Sequence, residues 1–292
     1  MSPSPAPPNP APPPDYRRDA SFTPPERVPW SQLAPQFALA FGRADPRDPQ
    51  PEHIEIIGKK GSGKTHFAGK VYQERAHVQE RPSIIVATKP VDATLGKIGF
   101  PVVNTWDQLV SKVRDGEQNL IYWPRTRLLG SARKEYHNER ITDLLDRLWS
   151  PGADTDVVID DWGYTDKLPD VKDRLEQYLR EGRSSGLSVG AIKQRPQGST
   201  RLMSSETDWT VAFRPADEGD LERWAELFGA RRDWMPVFRQ LDPARREFLI
   251  QHNTTRQAYI SWVDTPLIPV QPRRARRRTV GEFMRGRRGD GG

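Results

Sequence analysis

The chain has 292 residues, and its 45 Lys plus Arg against 39 Asp plus Glu leave a formal net charge of +6. That excess lies wholly in the last stretch, where eight arginines between Pro272 and Gly292 face only Glu282 and Asp290, so residues 1–271 balance at 37 basic and 37 acidic. The absence of cysteine excludes disulfides, thiolate zinc sites, iron–sulfur clusters and a cysteine nucleophile. No apolar run approaches the ~20 residues that span a bilayer, and the N-terminus lacks the apolar core of a secretory signal, so a soluble, cytoplasmic protein without membrane insertion is expected.

Of the 28 prolines, 15 fall in residues 1–51. Such a segment buries too little apolar surface to offset its ordering entropy, so 1–51 reads as a disordered Pro-rich linker with at most a short apolar piece at 37–41. Residues 52–268 read as one α/β domain and 269–292 as an Arg-rich tail. Within the domain a strand is expected at 53–57, a helix at 64–81 and a strand at 83–87. Further strands are expected at 101–104 and 120–123, flanking a helix at 106–113. A polar helix follows at 134–148, with Ile141, Leu144, Leu145 and Leu148 on one face. Then come a strand at 157–159, a helix at 171–181 and a strand at 187–192. A strand at 210–213, a helix at 218–228 and a hairpin from 248–251 and 258–263 close the pattern. Strands alternating with helices predict a mostly parallel sheet covered by helices on both faces. Trp123, Trp149, Trp209, Trp224 and Trp262 adjoin these elements and read as core, and the five histidines show no zinc-ligand spacing.

The strongest local signal is Gly58-Lys59-Lys60-Gly61-Ser62-Gly63-Lys64-Thr65, a full G-x-x-x-x-G-K-[ST] Walker A motif. Its glycines let the backbone curl so that successive N–H groups face phosphate oxygens, and the helix that follows presents its unpaired N–H groups to the same anion. Lys64 is expected at the β/γ-phosphates of ATP and Thr65 on Mg²⁺; Lys59 and Lys60 add charge or are solvated. A second carboxylate is needed on a neighbouring strand, and Asp156-Val157-Val158-Ile159-Asp160-Asp161 supplies it. Asp160 is assigned to the Mg²⁺ side and Asp161 to orienting the attacking water, with capping of the following turn as the alternative for Asp161.

Thr88-Lys89-Pro90-Val91-Asp92 loosely resembles a guanine-reading motif, but its spacing is off by one and it precedes, rather than follows, the D-x-x-G at Asp160–Gly163. A GTPase is therefore disfavoured. More informative is Gly182-Arg183-Ser184-Ser185-Gly186 followed by an apolar strand and Gln194-Arg195-Pro196. A polar side chain at the end of a strand beside the Walker B strand touches both the γ-phosphate and the attacking water, and Gln194 stands there. With Walker A and B, this arrangement resembles the FtsK–HerA superfamily of DNA-pumping P-loop ATPases over about residues 53–230. Asp161 departs from the usual Glu of that family.

The resemblance implies ATP and Mg²⁺ as cofactors, double-stranded DNA as substrate and a homo-oligomeric ring, usually a hexamer, with a portal, nuclease or relaxase as partner. It also implies a trans-acting arginine, for which Arg183 matches the family position, with Arg214 and Arg201 behind it; a cation at a helix C-terminus is the alternative for Arg183. In the tail, Arg273, Arg274, Arg276, Arg277 and Arg278 form a footprint for a polyanion, assigned to DNA. The expected activity is ATP-driven translocation or packaging of double-stranded DNA for a virus or mobile element. A P-loop switch that recruits partners through its tails is the alternative, and a small-molecule kinase is disfavoured for want of an Arg-rich lid.

Overall fold

The computed structural model describes residues 22–40, 51–79, 81–150, 152–195, 201–229 and 231–266. Its strands are β1 (Glu26–Arg27), β2 (Ile54–Ile57), β3 (Ser83–Val86), β4 (Val102–Val103), β5 (Asn119–Tyr122), β6 (Thr155–Ile159), β7 (Leu187–Lys193), β8 (Trp209–Phe213), β9 (Phe248–His252) and β10 (Ala258–Ser261). Its helices are α1 (Trp30–Ala40), α2 (Lys64–Gln79), α3 (Ala93–Ile98), α4 (Trp106–Arg114), α5 (Gly130–Leu148), α6 (Trp162–Thr165), α7 (Pro169–Glu181), α8 (Arg201–Glu206), α9 (Glu218–Phe228) and α10 (Arg231–Arg239).

Among the described residues all ten strands form one sheet in the order β1-β10-β9-β8-β2-β7-β6-β3-β5-β4. From β8 through β4 every pairing is parallel, while β9 runs antiparallel to both β8 and β10. The central strands are buried on both faces, which is why they carry apolar runs such as Ile84–Val86 and Val157–Ile159. Alternate residues go to opposite faces. Ile54, Ile56, Ile85, Val158 and Val211 meet α1, α2 and α3 on one side. On the other side Ile84, Val86, Val157, Ile159 and Val189 meet α4, α5 and α7, and Ile57, Ala212 and Leu249 meet α9 and α10. No helix among the described residues is long and apolar enough to cross a membrane.

The expected elements from 53 to 263 all occur, with ends shifted by a few residues. The reading of 1–51 as one linker does not extend over residues 22–40, where β1 pairs with β10 and α1 packs on the core. Trp30, Leu33, Ala34 and Phe37 recur at i, i+3, i+4 and i+7, one buried stripe of a helix. Trp30 is fully buried and meets Phe67 edge-to-face at 4.9 Å. The surrounding prolines, including Pro35 within the helix itself, hide this periodicity. The short helices α3, α6, α8 and α10 were also not expected. Of the tail, residues 267–292 lie outside the described residues, and with them all five arginines at 273–278 assigned to DNA.

Candidate nucleotide site

The P-loop leaves β2 at Ile57 and enters α2 at Lys64. Its first residue is pinned to the next strand, because the Gly58 N–H donates to the Lys193 carbonyl of β7 at 3.2 Å. A Cβ at Gly58 would stand 2.8 Å from both Phe213 Cβ and Ser62 Oγ, so only glycine fits between β8 and the loop. Gly63, at φ 108°, makes the left-handed turn into the helix. The Lys64 ammonium folds back over the loop and donates to the Lys59 carbonyl at 2.7 Å. Burial and the nearby charge of Lys89 lower its pKa to about 8. An incoming phosphate relieves both effects by supplying the missing counter-charge. Lys59, Lys60 and Gly61 are exposed at the tip, and Ser62 is half-buried.

Asp160 stands just past the end of β6. The sequence reading put it on a strand neighbouring β2, but the sheet inserts β7 between them. The first turn of α2 spans this gap, and Thr65 Oγ1 donates to Asp160 Oδ1 at 3.0 Å. The other carboxylate oxygen, Oδ2, accepts from Lys89 Nζ at 2.9 Å, and the same ammonium reaches Asp92 Oδ2 at 3.3 Å. Lys89 lies in the segment set aside above as a false guanine motif. Its backbone is fixed by two side chains: Trp123 Nε1 donates to the Lys89 carbonyl at 2.7 Å, and Arg133 Nη2 to the Thr88 carbonyl at 2.6 Å. Burial opposes the Lys89 charge, yet Asp160 and Asp92 together hold its pKa above the ordinary lysine value.

Asp161 and Gln194 line one open cleft with Trp162, Gly163, Tyr164, Lys167, Lys193 and Arg195, a space of about 380 Å³. Asp161 takes the N-cap position of α6, the alternative read from sequence, but its side chain makes no capping hydrogen bond. Burial raises the Asp161 pKa, Lys89 opposes the rise and Asp160 adds to it, which makes this carboxylate a better proton acceptor than an exposed one. Gln194 is exposed directly after β7. Beneath it, buried Lys193 pairs with Glu55 Oε2 at 3.0 Å and lies 5.6 Å from the Trp162 ring centre.

Arg183 is not brought to this edge. It sits before β7, at the opposite end of the strands, with Nη2 on Asp208 Oδ2 at 2.9 Å and on the Glu206 carbonyl at 2.7 Å. The four residues of β2 and their flanks separate it from the P-loop by roughly 15 Å at 3.3 Å per residue. Following α7, Arg183 occupies the place of a helix C-terminal cation, the alternative read from sequence. Arg214, by contrast, lies on the nucleotide edge, where it lines a second cleft with Lys59, Pro243 and Phe238.

Two oxygen donors, Thr65 Oγ1 and Asp160, converge on one point. Among the described residues no group of three or more His, Cys, Asp or Glu side chains could form a metal cage. That donor set fits Mg²⁺, which takes one or two protein oxygens and completes its shell with water and substrate phosphates.

No family model matches the chain, and no curated protein matches it. Solved structures do match. The DNA-packaging ATPase B204 of Sulfolobus turreted icosahedral virus superposes with a TM-score of 0.53 at 17% identity, over 73% of this chain and 98% of that one. The genome-packaging NTPase B204 of Sulfolobus turreted icosahedral virus 2 matches with a TM-score of 0.51 both in complex with AMP, at 16% identity, and with ATP-γS, at 14%. In each case 73% of this chain and 98% of the other are covered. The chain thus has the α/β P-loop fold seen in these viral packaging ATPases.

Proposed function

We propose that the protein is an ATP-hydrolysing, Mg²⁺-dependent motor that translocates or packages double-stranded DNA, working as a homo-oligomeric ring. The observation that carries the reading is the 3.0 Å contact between Thr65 of the P-loop helix and Asp160 of β6, with Asp161 beside it. That contact joins the two halves of a phosphate-and-metal site, and a Gly/Lys-rich surface turn has no need of it. The DNA assignment is supported by the fold of the viral packaging ATPase and by the Arg-rich tail.

In this reading the Lys64 ammonium leaves the Lys59 carbonyl for the β/γ-phosphates, and the P-loop N–H groups hold the rest of the anion. Thr65 and Asp160 would hold Mg²⁺, which would supply positive charge to the phosphate oxygens. Asp161 orients the water and accepts its proton; Gln194, across the same cleft, reports the γ-phosphate to the strand end. Arg183 acts in this scheme only if a neighbouring subunit's nucleotide edge docks against the far end of the strands. Arg214, already on the nucleotide edge, is the second arginine to exchange in mixed rings.

The test is steady-state ATP hydrolysis with and without linear double-stranded DNA, at low and high salt, beside Lys64→Ala. Stimulation by DNA that vanishes in Lys64→Ala and weakens steeply with salt is expected. Slow turnover indifferent to DNA would reduce the likeness to packaging ATPases to a shared fold.

A further inference from the structure

We infer that Lys89 is a tethered counter-ion for Asp160, a positioning residue that balances its charge and keeps this carboxylate aimed before Mg²⁺ and nucleotide arrive and then yields it to them. The inference rests on the nucleotide reading of the site. It starts from burial: the Asp160 side chain is fully buried, and its two oxygens are taken by Thr65 and Lys89. A buried carboxylate without a partner is strongly destabilising, so some cation must stand there when no metal does. The metal, beside Thr65 and Oδ1, and the ammonium, on Oδ2, are both positive and crowd one carboxylate, so binding of the first loosens the second.

The identity of the residue suits displacement. Lysine offers a point charge on a flexible stem, whereas arginine's planar fork would grip both oxygens. The Lys89 side chain is one-third exposed, so it has solvent to swing into. Its next partner is already in reach, since Asp92 Oδ2 lies 3.3 Å away. The other oxygen of Asp92 caps α3, accepting from the Thr94 and Leu95 N–H groups at 2.8 and 3.1 Å. Ile98 of α3 packs directly against Gly69 of the P-loop helix, where a Cβ would meet it at 3.0 Å. Because Trp123 and Arg133 hold the loop backbone, only the ammonium need move. Its transfer from Asp160 to Asp92 carries the state of the metal site to the cap of α3.

Two measurements on the full chain test this. The first is thermal unfolding without nucleotide for wild type, Lys89→Met, Asp160→Asn and the double variant. Lys89→Met is expected to melt lower than wild type, and that loss is expected to disappear once Asp160 is Asn. Additive losses would mean that Lys89 acts elsewhere, and this arm stands even if nucleotide binding fails altogether. The second is binding of N-methylanthraniloyl-ADP against a magnesium chloride titration. Lys89→Met is expected to need less magnesium, by on the order of fivefold, with binding in EDTA unchanged. Lys89→Arg, which keeps the charge in a two-pronged grip, is expected to need more magnesium and to fold normally. Equal weakening in EDTA and in magnesium would place Lys89 on the phosphates and overturn the counter-ion role. If wild type binds no nucleotide, the function proposed above fails and the unfolding cycle alone decides this one.

Discussion

Strand β6 carries a buried carboxylate at each end, and the two are held in different ways. Asp156, near its start, directs Oδ1 at Arg81 Nε at 2.6 Å, Arg75 Nη1 at 3.2 Å and Ser188 Oγ at 2.8 Å. Asp160, just past its end, is held by a hydroxyl and a lysine at the mouth of the P-loop. Both side chains are completely buried, so burial does not separate a structural carboxylate from a functional one. The partners do. Two permanently charged guanidinium groups lock Asp156 inside the fold, while a threonine hydroxyl and a flexible ammonium can both be exchanged for a metal ion. One edge of the sheet is tied shut and the other is left ready for exchange.

Asparagine at each position breaks the comparison in opposite directions. Asp160→Asn is expected to leave a folded protein whose ATP turnover falls by about a thousandfold or more, equivalent to roughly 4 kcal/mol of transition-state stabilisation. Asp156→Asn is expected to cost about 3–5 kcal/mol of stability, because it removes the buried carboxylate that Arg75 and Arg81 share, with turnover per folded molecule close to wild type. Urea unfolding and steady-state hydrolysis of the two variants decide the matter. A well-folded Asp156→Asn without turnover would erase the distinction.

Trp30→Ala sharpens the boundary of the unit on which these edges are built. Trp30 touches Phe37, Phe67 and Phe248, at 5.3, 4.9 and 6.1 Å between ring centres. Truncation there is expected to cost about 3–5 kcal/mol, seen as a lower urea midpoint. A cost within ±0.5 kcal/mol, typical of a surface position, would return residues 22–40 to the status of linker.

What could be read in advance follows from how local each feature is. The P-loop is eight consecutive residues, so its place between β2 and α2 is legible from Gly58–Thr65 alone. The positions of Asp160 and Gln194, just past β6 and β7, are legible because strand ends can be located by apolar runs. Lys89 is not, because its role depends on β3 lying beside β6, with Val86 opposite Ile159, and no local pattern states the order of parallel strands. For the same reason β7 could not be seen to intervene between β2 and β6. Arg183 was matched by family position, yet which end of the strands it occupies follows from chain direction: it precedes β7, and the nucleotide edge is where β7 ends. The α1 helix is hidden in the sequence because the stretch around it is Pro-rich while its buried stripe spans only Trp30 to Phe37.

The tied-shut edge has a pH signature of its own. His53 is buried there: Val189 N–H donates to its Nδ1 at 3.0 Å, and its Nε2 faces the Leu179 carbonyl at 3.2 Å. Burial and the charge of Arg183 lower its pKa from 6.5 to about 3. Below pH 6.5 the unfolded chain takes up a proton that the folded one refuses. The His53 contribution is therefore complete above 6.5 and is lost as pH falls toward 3, at up to about 1.4 kcal/mol per pH unit. Asp208, which accepts from the His53 backbone N–H at 2.7 Å, has the opposite sign: burial, partly offset by Arg183, raises its pKa from 3.8 to about 6. Its contribution is complete below 3.8 and is lost as pH rises through 6. Between pH 6 and 3.8 the two slopes cancel in part, and below 3.8 only that of His53 remains. Asp208→Asn removes the opposing slope, so its urea midpoint is expected to fall more steeply than that of wild type on acidification from pH 6 to 4. Parallel profiles for the two proteins would show that Asp208 titrates as an ordinary surface carboxylate, and the buried proton-linked pair at this edge would have to be given up.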